Sequence, residues 1–250
     1  MALKEWAAQR APLFRLGSGP RPRGLLLVGV PGCGKSYVSK ALGRAWSLPV
    51  FRLDMARIFS GVSLGPEAMF TRALRSIEAL APTILWIDEI ETTFAAGSLD
   101  APAAARIYAS FLNWLQDRPD DVFVSATANR VEMLPPELLR KGRFDQLFFV
   151  DLPQVEERKE ILAIHLRRFV SSTSGFDLIF LAKATEGWSG AELEAAVKSA
   201  AGQAVVDQRP LEQEQLLRAI SQAVPLSITL EEPIRRLREW AHRRAMPASR

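Results

Sequence analysis

Apolar residues occur along the first part of the chain in short, nearly continuous runs, each followed by a stretch with helical periodicity. The runs are residues 25–28, 50–53, 84–87, 122–125 and 147–150. Helical patterns cover about residues 35–46, 66–80 and 102–116. Strands buried on both faces have continuous apolar runs, and here helices connect them, so this alternation predicts a parallel sheet with helices on both faces. The fold class is therefore α/β, an αβα sandwich.

The pattern changes after Pro153, where strand signals stop and helical periodicity continues. Helices are predicted at residues 154–170, 177–185, 189–207, 211–223 and about 230–244. At the other end, a short amphipathic helix over residues 3–14 precedes a Gly/Pro/Arg linker. We therefore expect an N-terminal helix and linker (1–23), an α/β domain (24–152), and a small all-helical domain with a basic C-terminal helix (153–250).

The composition is that of an ordinary globular protein, with 250 residues, 48% of them apolar and 24% charged. No apolar stretch reaches the ~18 residues that span a membrane, and the charged N-terminus lacks the apolar centre of a signal peptide. We therefore expect no membrane partner. The single cysteine, Cys33, excludes an internal disulfide and favours a reducing, cytoplasmic compartment.

The net charge is +4, and part of the excess of positive over negative residues lies in the C-terminal region. The arginines there are Arg235, Arg236, Arg238, Arg243, Arg244 and Arg250. A basic surface is compatible with nucleic-acid binding, but it fits a nucleotide-binding enzyme or a solvated helix face equally well. Nucleic acid therefore remains an alternative partner that the charge alone does not favour.

The segment Gly29-Val30-Pro31-Gly32-Cys33-Gly34-Lys35-Ser36 matches the phosphate-loop pattern and lies between a predicted strand and a predicted helix. Glycines let backbone N–H groups curl around phosphate oxygens, and the helix N-terminus adds partial positive charge. Lys35 can reach the β- and γ-phosphates, and the Ser36 hydroxyl can bind Mg²⁺. The predicted nucleotide-binding residues here are Gly29, Pro31, Gly32, Cys33, Gly34, Lys35, Ser36 and Tyr37. For Cys33, a tolerated small side chain is favoured over a redox-sensitive brake.

Two carboxylates, Asp88 and Glu89, follow the apolar run at residues 84–87. Strand ends of a parallel sheet face the ligand crevice, so Asp88 is placed to hold Mg²⁺ through water and Glu89 to orient and polarise an attacking water. Glu91 is interpreted as a solvated or interface charge. The next strand, which should lie beside the acidic one, leads to Asn129, whose amide can hold the water or the γ-phosphate. An Asn in a strand-end turn is the structural alternative.

The segment Leu139-Arg140-Lys141-Gly142-Arg143-Phe144-Asp145 resembles the arginine-finger segment of AAA ATPases, and its spacing from Asn129 is similar to that family's. The resemblance covers nearly the whole chain. It implies a parallel αβα sandwich with a helical lid, a homo-oligomer of six subunits, and catalytic arginines, Arg140 and Arg143, acting on a neighbouring subunit's ATP. A guanidinium suits the charge that develops on the γ-phosphoryl oxygens. An exposed basic turn is the alternative for both arginines.

The chain further resembles the AAA proteins first known as a hypothetical reading frame of algal chloroplast genomes, with relatives in cyanobacteria. The closer match lies in residues 3–6, 85–91, 126–129 and 134–145. Residues 187–193 look like the family's second sensor segment, which implies that the backbone of Gly190 and Ala191 lies near the adenosine. By the same resemblance, His165 is a candidate ligand of the ribose or adenine, although a lone helical histidine is more often structural. Trp188 is interpreted as core.

The chain departs from the family where polypeptide-threading members carry an aromatic-hydrophobic-glycine loop. The corresponding region here is Phe59-Ser60-Gly61-Val62-Ser63-Leu64-Gly65-Pro66, which has no aromatic residue in the expected pair. Two interpretations stay open: either Leu64 or Phe59 grips a substrate, or threading is weak or absent.

The expected function is Mg²⁺-dependent ATP hydrolysis by an oligomer that remodels a protein partner. One alternative is a nucleic-acid-handling motor or loader. Another is a nucleotide-gated scaffold that binds ATP but turns over slowly. The client cannot be named from these residues, because recognition usually lies outside such a module.

Overall fold

The computed structural model describes residues 2–15, 20–59, 65–93, 101–140 and 142–249. Contacts within the chain divide it into two units. The sheet unit comprises Met1–Gly29, Lys35–Val150 and Glu239–Arg250, and the helical unit comprises Val30–Gly34 and Asp151–Arg238. The predicted domain boundaries, after residues 23 and 152, stay predictions.

The sheet unit contains a fully parallel sheet in the order β2-β3-β4-β1-β5-β6, which confirms the predicted α/β class. Its strands are β1 (Gly24–Gly29), β2 (Val50–Arg52), β3 (Thr83–Ile87), β4 (Val122–Ala128), β5 (Gln146–Val150) and β6 (Met246–Pro247). Every residue of β1, β3 and β4 is buried. Because alternate side chains point to opposite faces, both faces of the sheet centre are covered.

One helix of the sheet unit precedes β1, and further helices follow β1, β2 and β3. They are α1 (Ala2–Arg15), α2 (Lys35–Trp46), α3 (Met55–Phe59), α4 (Pro66–Ala79), α5 (Ile90–Thr93) and α6 (Ala101–Asp117). Helices α1, α2, α4 and α6 agree with the predicted segments to within a few residues. The one-turn helices α3 and α5 were not predicted, since four or five residues are too few to show a helical period.

The N-terminal helix α1 packs into the core of the sheet unit. Trp6 lies in one aromatic cluster with Trp46, Phe123 and Phe148, at ring-centroid distances of 6.4, 6.3 and 5.8 Å from the three. The indole N–H of Trp46 donates to the carbonyl of Ala7 at 2.9 Å, which ties α2 to α1. The first helix is therefore part of this core and not only a connection to it.

The C-terminal strand β6 extends the sheet beyond β5 and was not predicted. It has two residues, one of them Pro247, and proline normally argues against a strand. Ala248 N–H donates to Phe149 O at 2.8 Å, and Leu3 N–H donates to Ala248 O at 3.2 Å. Ala248, directly after the proline, is thus hydrogen-bonded to β5 and to α1. A strand propensity of this segment cannot reveal these distant partners.

The remaining α-helices lie wholly or partly in the helical unit, and all except the one-turn helix Leu226–Thr229 overlap predicted helical segments. They are α7 (Val155–Leu166), α8 (Leu178–Ala184), α9 (Gly190–Val206), α10 (Gln213–Ser221), α11 (Leu226–Thr229) and α12 (Glu231–Arg244), the last of which continues into the sheet unit. Trp188 is buried in one cluster with Leu162, Leu166, Leu193 and Leu216, which confirms its interpretation as core. None of the helices among the described residues combines the length and apolar character needed to span a membrane.

The packing of α1 predicts that Trp6→Ala lowers the free energy of unfolding of the sheet unit by about 3–5 kcal/mol, because it removes an aromatic side chain from a filled core. Trp6→Phe should cost less, since the ring stays and the indole N–H has no hydrogen-bond partner among the described residues. Urea denaturation followed by circular dichroism measures both. Lys4→Ala, at an exposed position of the same helix, is the control. Wild-type stability of Trp6→Ala would show that α1 is dispensable for this core.

Candidate active site

Three glycines of the phosphate loop occupy positions that exclude a side chain. Gly32 and Gly34 have φ angles of +76° and +84°, which residues with a Cβ rarely adopt. A Cβ on Gly29 would lie 2.0 Å from the carbonyl oxygen of Val150 on the neighbouring strand. The glycine pattern found in the sequence is therefore required by backbone conformation and by a close strand approach.

Lys35 and Ser36 begin α2 directly after this loop. The Lys35 ammonium donates to the carbonyl of Gly29 at 2.9 Å, and the side chain is buried. The first turn of α2 contains no acidic residue, so nothing within it offsets the partial positive charge of the helix N-terminus. Tyr37 is 63% exposed in the same turn. Cys33 is half-buried, with Sγ 3.8 Å from the carbonyl oxygen of Pro31.

Asp88 receives two hydroxyl donors immediately after β3. Ser36 Oγ donates to its Oδ1 at 2.8 Å, and Thr127 Oγ1 donates to the same oxygen at 2.7 Å. A guanidinium nitrogen of Arg52 lies 3.7 Å from Oδ2. Mg²⁺ is bound by hard oxygen ligands, and proteins supply only one or two of them next to phosphate and water. A serine hydroxyl against a carboxylate therefore fits such an ion.

Glu89 adopts a strained backbone conformation between β3 and α5. Its φ angle is +47°, in the left-handed region that a residue with a side chain enters only when its surroundings hold it there. Glu89 N–H donates to Thr127 Oγ1 at 2.9 Å, and Asn129 Nδ2 donates to Glu89 Oε1 at 3.0 Å. The end of β4 thus holds both the backbone and the carboxylate of Glu89.

The interpretation of Glu91 as a solvated or interface charge is wrong. The residue is 2% exposed, and its Oε1 accepts the backbone N–H groups of Asn129 at 2.7 Å and Arg130 at 3.1 Å. Burial raises the pKa of the Glu91 carboxyl above its ordinary value, whereas these two hydrogen bonds act in the opposite direction. From the sequence this acid is interpreted as exposed, because the N–H groups that donate to it follow a different strand and leave no local signal.

Thr127 was also missed, although the sequence carries a signal for it. Ser125, Thr127 and Asn129 are polar residues at alternate positions of an otherwise apolar strand, which places them on one face. The Ser125 hydroxyl forms a buried hydrogen bond of 2.8 Å with that of Ser39 in α2. This polar row therefore runs under α2 and ends at the carboxylates.

The two candidate arginines lie beyond β4, past the 3-10 helix Pro136–Leu139. Arg140 is exposed, whereas Arg143 is half-buried and its guanidinium donates to the carbonyl of Glu137. Asp145 joins this segment to the start of β1. Its Oδ2 accepts the N–H groups of Arg23 and Gly24, at 2.6 and 3.0 Å, and its own N–H donates to Gly24 O at 2.8 Å. Lys141 lies outside the described residues.

In the helical unit, the loop residue Gly32 contacts the beginning of α9. Ala191 N–H donates to Gly32 O at 2.9 Å, and a Cβ on Gly32 would lie 2.9 Å from that of Ala191. A capping box formed by Ser189 and Glu192 fixes this helix start, so Gly190 and Ala191 are held beside the loop.

His165 lies in α7 of the same unit. Its Nδ1 is buried without a hydrogen-bond partner among the described residues, 3.9 Å from Glu194 Oε1. Burial lowers the pKa of His165, and the nearby Glu194 opposes this shift. Burial therefore disfavours the protonated imidazole. The region from Phe59 to Pro66, where a substrate-gripping loop was considered, has residues 60–64 outside the described part of the chain.

Comparison with known proteins places this geometry in a family. Residues 25–152 match the family model described as ATPase family associated with various cellular activities (AAA), and residues 175–218 match the AAA+ lid domain. The chain is 39% identical over 246 residues to the AAA domain-containing protein ycf46 of Trieres chinensis, covering 96% of this chain and 50% of that protein. It is 35% identical over 224 residues to the proteasome-activating nucleotidase of Thermococcus onnurineus, covering 85% of this chain and 55% of that protein.

The chain thus spans about half the length of these relatives. A solved structure, the crystal structure of the FIGL-1 AAA domain, has the same fold, with a TM-score of 0.82 at 19% identity, covering 98% of this chain and 87% of that one. The parallel sheet that ends in two carboxylates, the phosphate loop, the lid helices and the family models agree, and the chain belongs to the AAA family of ATPases.

Proposed function

We propose that this chain hydrolyses ATP with Mg²⁺ as one subunit of a homo-oligomer, and that it uses nucleotide state to remodel a protein partner. The observation that carries the proposal is the hydrogen-bonded link between Asp88, Glu89, Thr127 and Asn129 at the carboxyl ends of β3 and β4. One carboxylate lies against the Ser36 hydroxyl and the other against an amide, so the two acids have different surroundings and are suited to different tasks.

The phosphates of ATP would be held by the backbone N–H groups of the loop and by Lys35. Ser36 and Asp88 would hold Mg²⁺, which would neutralise part of the phosphate charge when bound. The hydrogen bond between Ser36 and Asp88 keeps both oxygens together, so little reorganisation is needed for the ion to bind. Thr127 limits the rotation of the Asp88 carboxylate, because it donates to the same oxygen as Ser36.

Glu89 is the proposed general base and water-orienting residue. Asn129 donates to Oε1 and so orients the carboxylate, which is the group that would accept a proton from the attacking water. The left-handed backbone of Glu89 is held by the hydrogen bond of its N–H to Thr127. Strain that the surroundings maintain is typical of such positions.

Arg140 and Arg143 are proposed to act on ATP bound to the next subunit. A closed ring, with six subunits as the family resemblance implies, gives every site such a neighbour. The hydrogen bond from Arg143 to the Glu137 carbonyl supports a positioned guanidinium, because it restrains a side chain that otherwise has many rotamers.

The proposed adenosine-side residues lie in the helical unit and are Gly190, Ala191 and His165. The proposed further contacts near the phosphate loop are Pro31, Cys33 and Tyr37.

A protein partner is favoured over nucleic acid. One relative is named as an activator of the proteasome, which supports action on proteins. The C-terminal arginines give less support to nucleic acid than their number suggests, since Arg235 and Arg236 pair with Glu232 and Arg238 pairs with Asp151. The cytoplasmic compartment stays a prediction from the single cysteine.

We expect Glu89→Gln to bind ATP normally and to reduce turnover on the order of a hundredfold or more. The amide keeps the shape and can still contact Asn129, but it cannot accept the proton of the water. Calorimetry measures ATP affinity, and phosphate release measures turnover. Lys35→Ala is the comparison, because it should lose ATP binding itself. Near-normal turnover of Glu89→Gln with normal binding would assign the base to another residue.

Thr127→Val should reduce turnover by about tenfold or more while changing the side-chain volume little. It removes the acceptor of the Glu89 N–H and one donor to Asp88, and a buried group left unsatisfied costs about 1–3 kcal/mol. Thr127→Ser, which keeps the hydroxyl, is the matched control and should stay near wild type. Equal activities of the two variants would mean that the hydroxyl does not support the acidic pair.

For the arginines, we expect ATPase activity per subunit to rise with protein concentration. Arg143→Ala should bind ATP but hydrolyse it on the order of a hundredfold more slowly, because it removes a cation from the transition state. Mixing Arg143→Ala with Lys35→Ala should restore some activity, since an intact site on one chain can meet an intact arginine on another. Arg72→Ala, at an exposed position of α4, is the control.

The contradicting result is specific activity that stays constant with concentration while size-exclusion chromatography shows only monomer. The arginines would then act within one chain or be structural. A chain that assembles and binds ATP but turns it over very slowly in all these measurements would support the nucleotide-gated scaffold instead.

A further inference from the structure

Glu91 has an environment that a surface acid does not have. It lies in the one-turn helix α5, two residues after Glu89, and is almost fully buried. Its Oε1 accepts two consecutive backbone N–H groups, those of Asn129 and Arg130, where β4 ends. Its Oε2 is buried and has no hydrogen-bond partner among the described residues. Burying an incompletely paired carboxyl group lowers the stability of the folded state. A functional role for Glu91 would explain why a buried acid is present at this position.

The role of Glu91 is indicated by the two hydrogen bonds of Asn129, one made by its backbone and one by its side chain. The backbone N–H of Asn129 is held by Glu91, and its side-chain amide holds the carboxylate of Glu89. Two acids separated by a single residue on one chain segment therefore hold the same asparagine at two points. Two consecutive N–H groups that donate to the same oxygen restrain the backbone at Asn129 and Arg130.

We propose that Glu91 is a positioning residue for ATP hydrolysis, which fixes the backbone of Asn129 so that its amide meets the carboxylate of Glu89. The inference rests on the proposed function of Glu89 and Asn129. Both N–H groups that donate to Glu91 belong to Asn129 and Arg130, beside the proposed water-orienting pair, so its effect falls on hydrolysis and not on nucleotide binding. Small displacements of a positioned group lower rates strongly, because the reacting geometry is demanding.

The expected signature is a loss of kcat without a loss of ATP affinity. Glu91→Ala should lower kcat by roughly 10- to 100-fold and leave the Kd for ATP within about twofold. Glu91→Gln keeps an oxygen that can accept the same two N–H groups, so it should recover most of that loss. Glu132→Ala, at an exposed acid in the neighbouring 3-10 helix, should leave kcat unchanged.

A double-mutant cycle tests whether Glu91 acts through Asn129. The full chain would be made as Glu91→Ala, Asn129→Ala and the double variant, and kcat would be measured at saturating ATP. If Glu91 positions Asn129, the double variant should be no more than about twofold slower than Asn129→Ala alone, since the positioned group is already gone. Fold-losses that multiply would overturn the proposal, as would an unchanged kcat of Glu91→Ala.

The cycle needs one control for folding and one for a loss of stability. If Glu91→Ala does not fold, the same cycle is run with Glu91→Asp, whose shorter side chain withdraws the carboxylate from the two N–H groups, and circular dichroism and the thermal midpoint show whether this variant is native. Ile77→Val, a mild core substitution in α4, shows how far a stability loss alone lowers kcat. Failure of the proposed function is recognised separately, because Glu89→Gln would then remain active. An inactive Glu89→Gln together with a multiplicative cycle would contradict only the role of Glu91.

Discussion

The hydroxyl of Thr127 accepts the N–H of Glu89 and donates to the carboxylate of Asp88, so a single side chain joins the ends of β3 and β4. This joint exists because the two strands pair in parallel, with Ile87 opposite Ala126. Parallel pairing brings the carboxyl ends of both strands to the same edge of the sheet. A shift of one residue in this register would turn Thr127 away from the acids. The chemistry at the sheet edge thus depends on the apolar packing that sets the register.

Three acids within four residues also present an electrostatic problem. Asp88, Glu89 and Glu91 would repel one another, and Glu91 is buried besides. The structure gives each acid its own set of donors: hydroxyls for Asp88, an amide for Glu89 and backbone N–H groups for Glu91. Hydrogen bonds to the ionised form favour it, so these separate donors offset part of the repulsion. They also give three similar side chains three different environments.

The sequence was sufficient for the parts of this molecule that depend on local pattern. Continuous apolar runs predicted the first five strands, and the phosphate-loop spacing located Lys35 and Ser36 at the beginning of α2. It was insufficient where a contact joins distant segments. Glu91 looked exposed because its partners are 38 and 39 residues away. The strand β6 was missed because its formation depends on β5, and no propensity of Met246-Pro247 indicates it. Polar alternation in β4 could have identified Thr127, but only once the neighbouring strand was known.

The N–H groups that donate to Glu91 also lie at the beginning of the segment that carries the two candidate arginines. Between Asn129 and Asp145 the chain leaves the sheet, forms two 3-10 turns and returns as β5, carrying Arg140 and Arg143 on the way. Glu91 holds the beginning of this segment, and the backbone of Arg23 and Gly24 holds its end through Asp145. A segment fixed at both ends has little freedom to absorb a displacement internally, particularly where Val131, Leu134 and Leu138 are buried. The residue whose amide holds the carboxylate of Glu89 is therefore also the residue at which the segment carrying Arg140 and Arg143 begins.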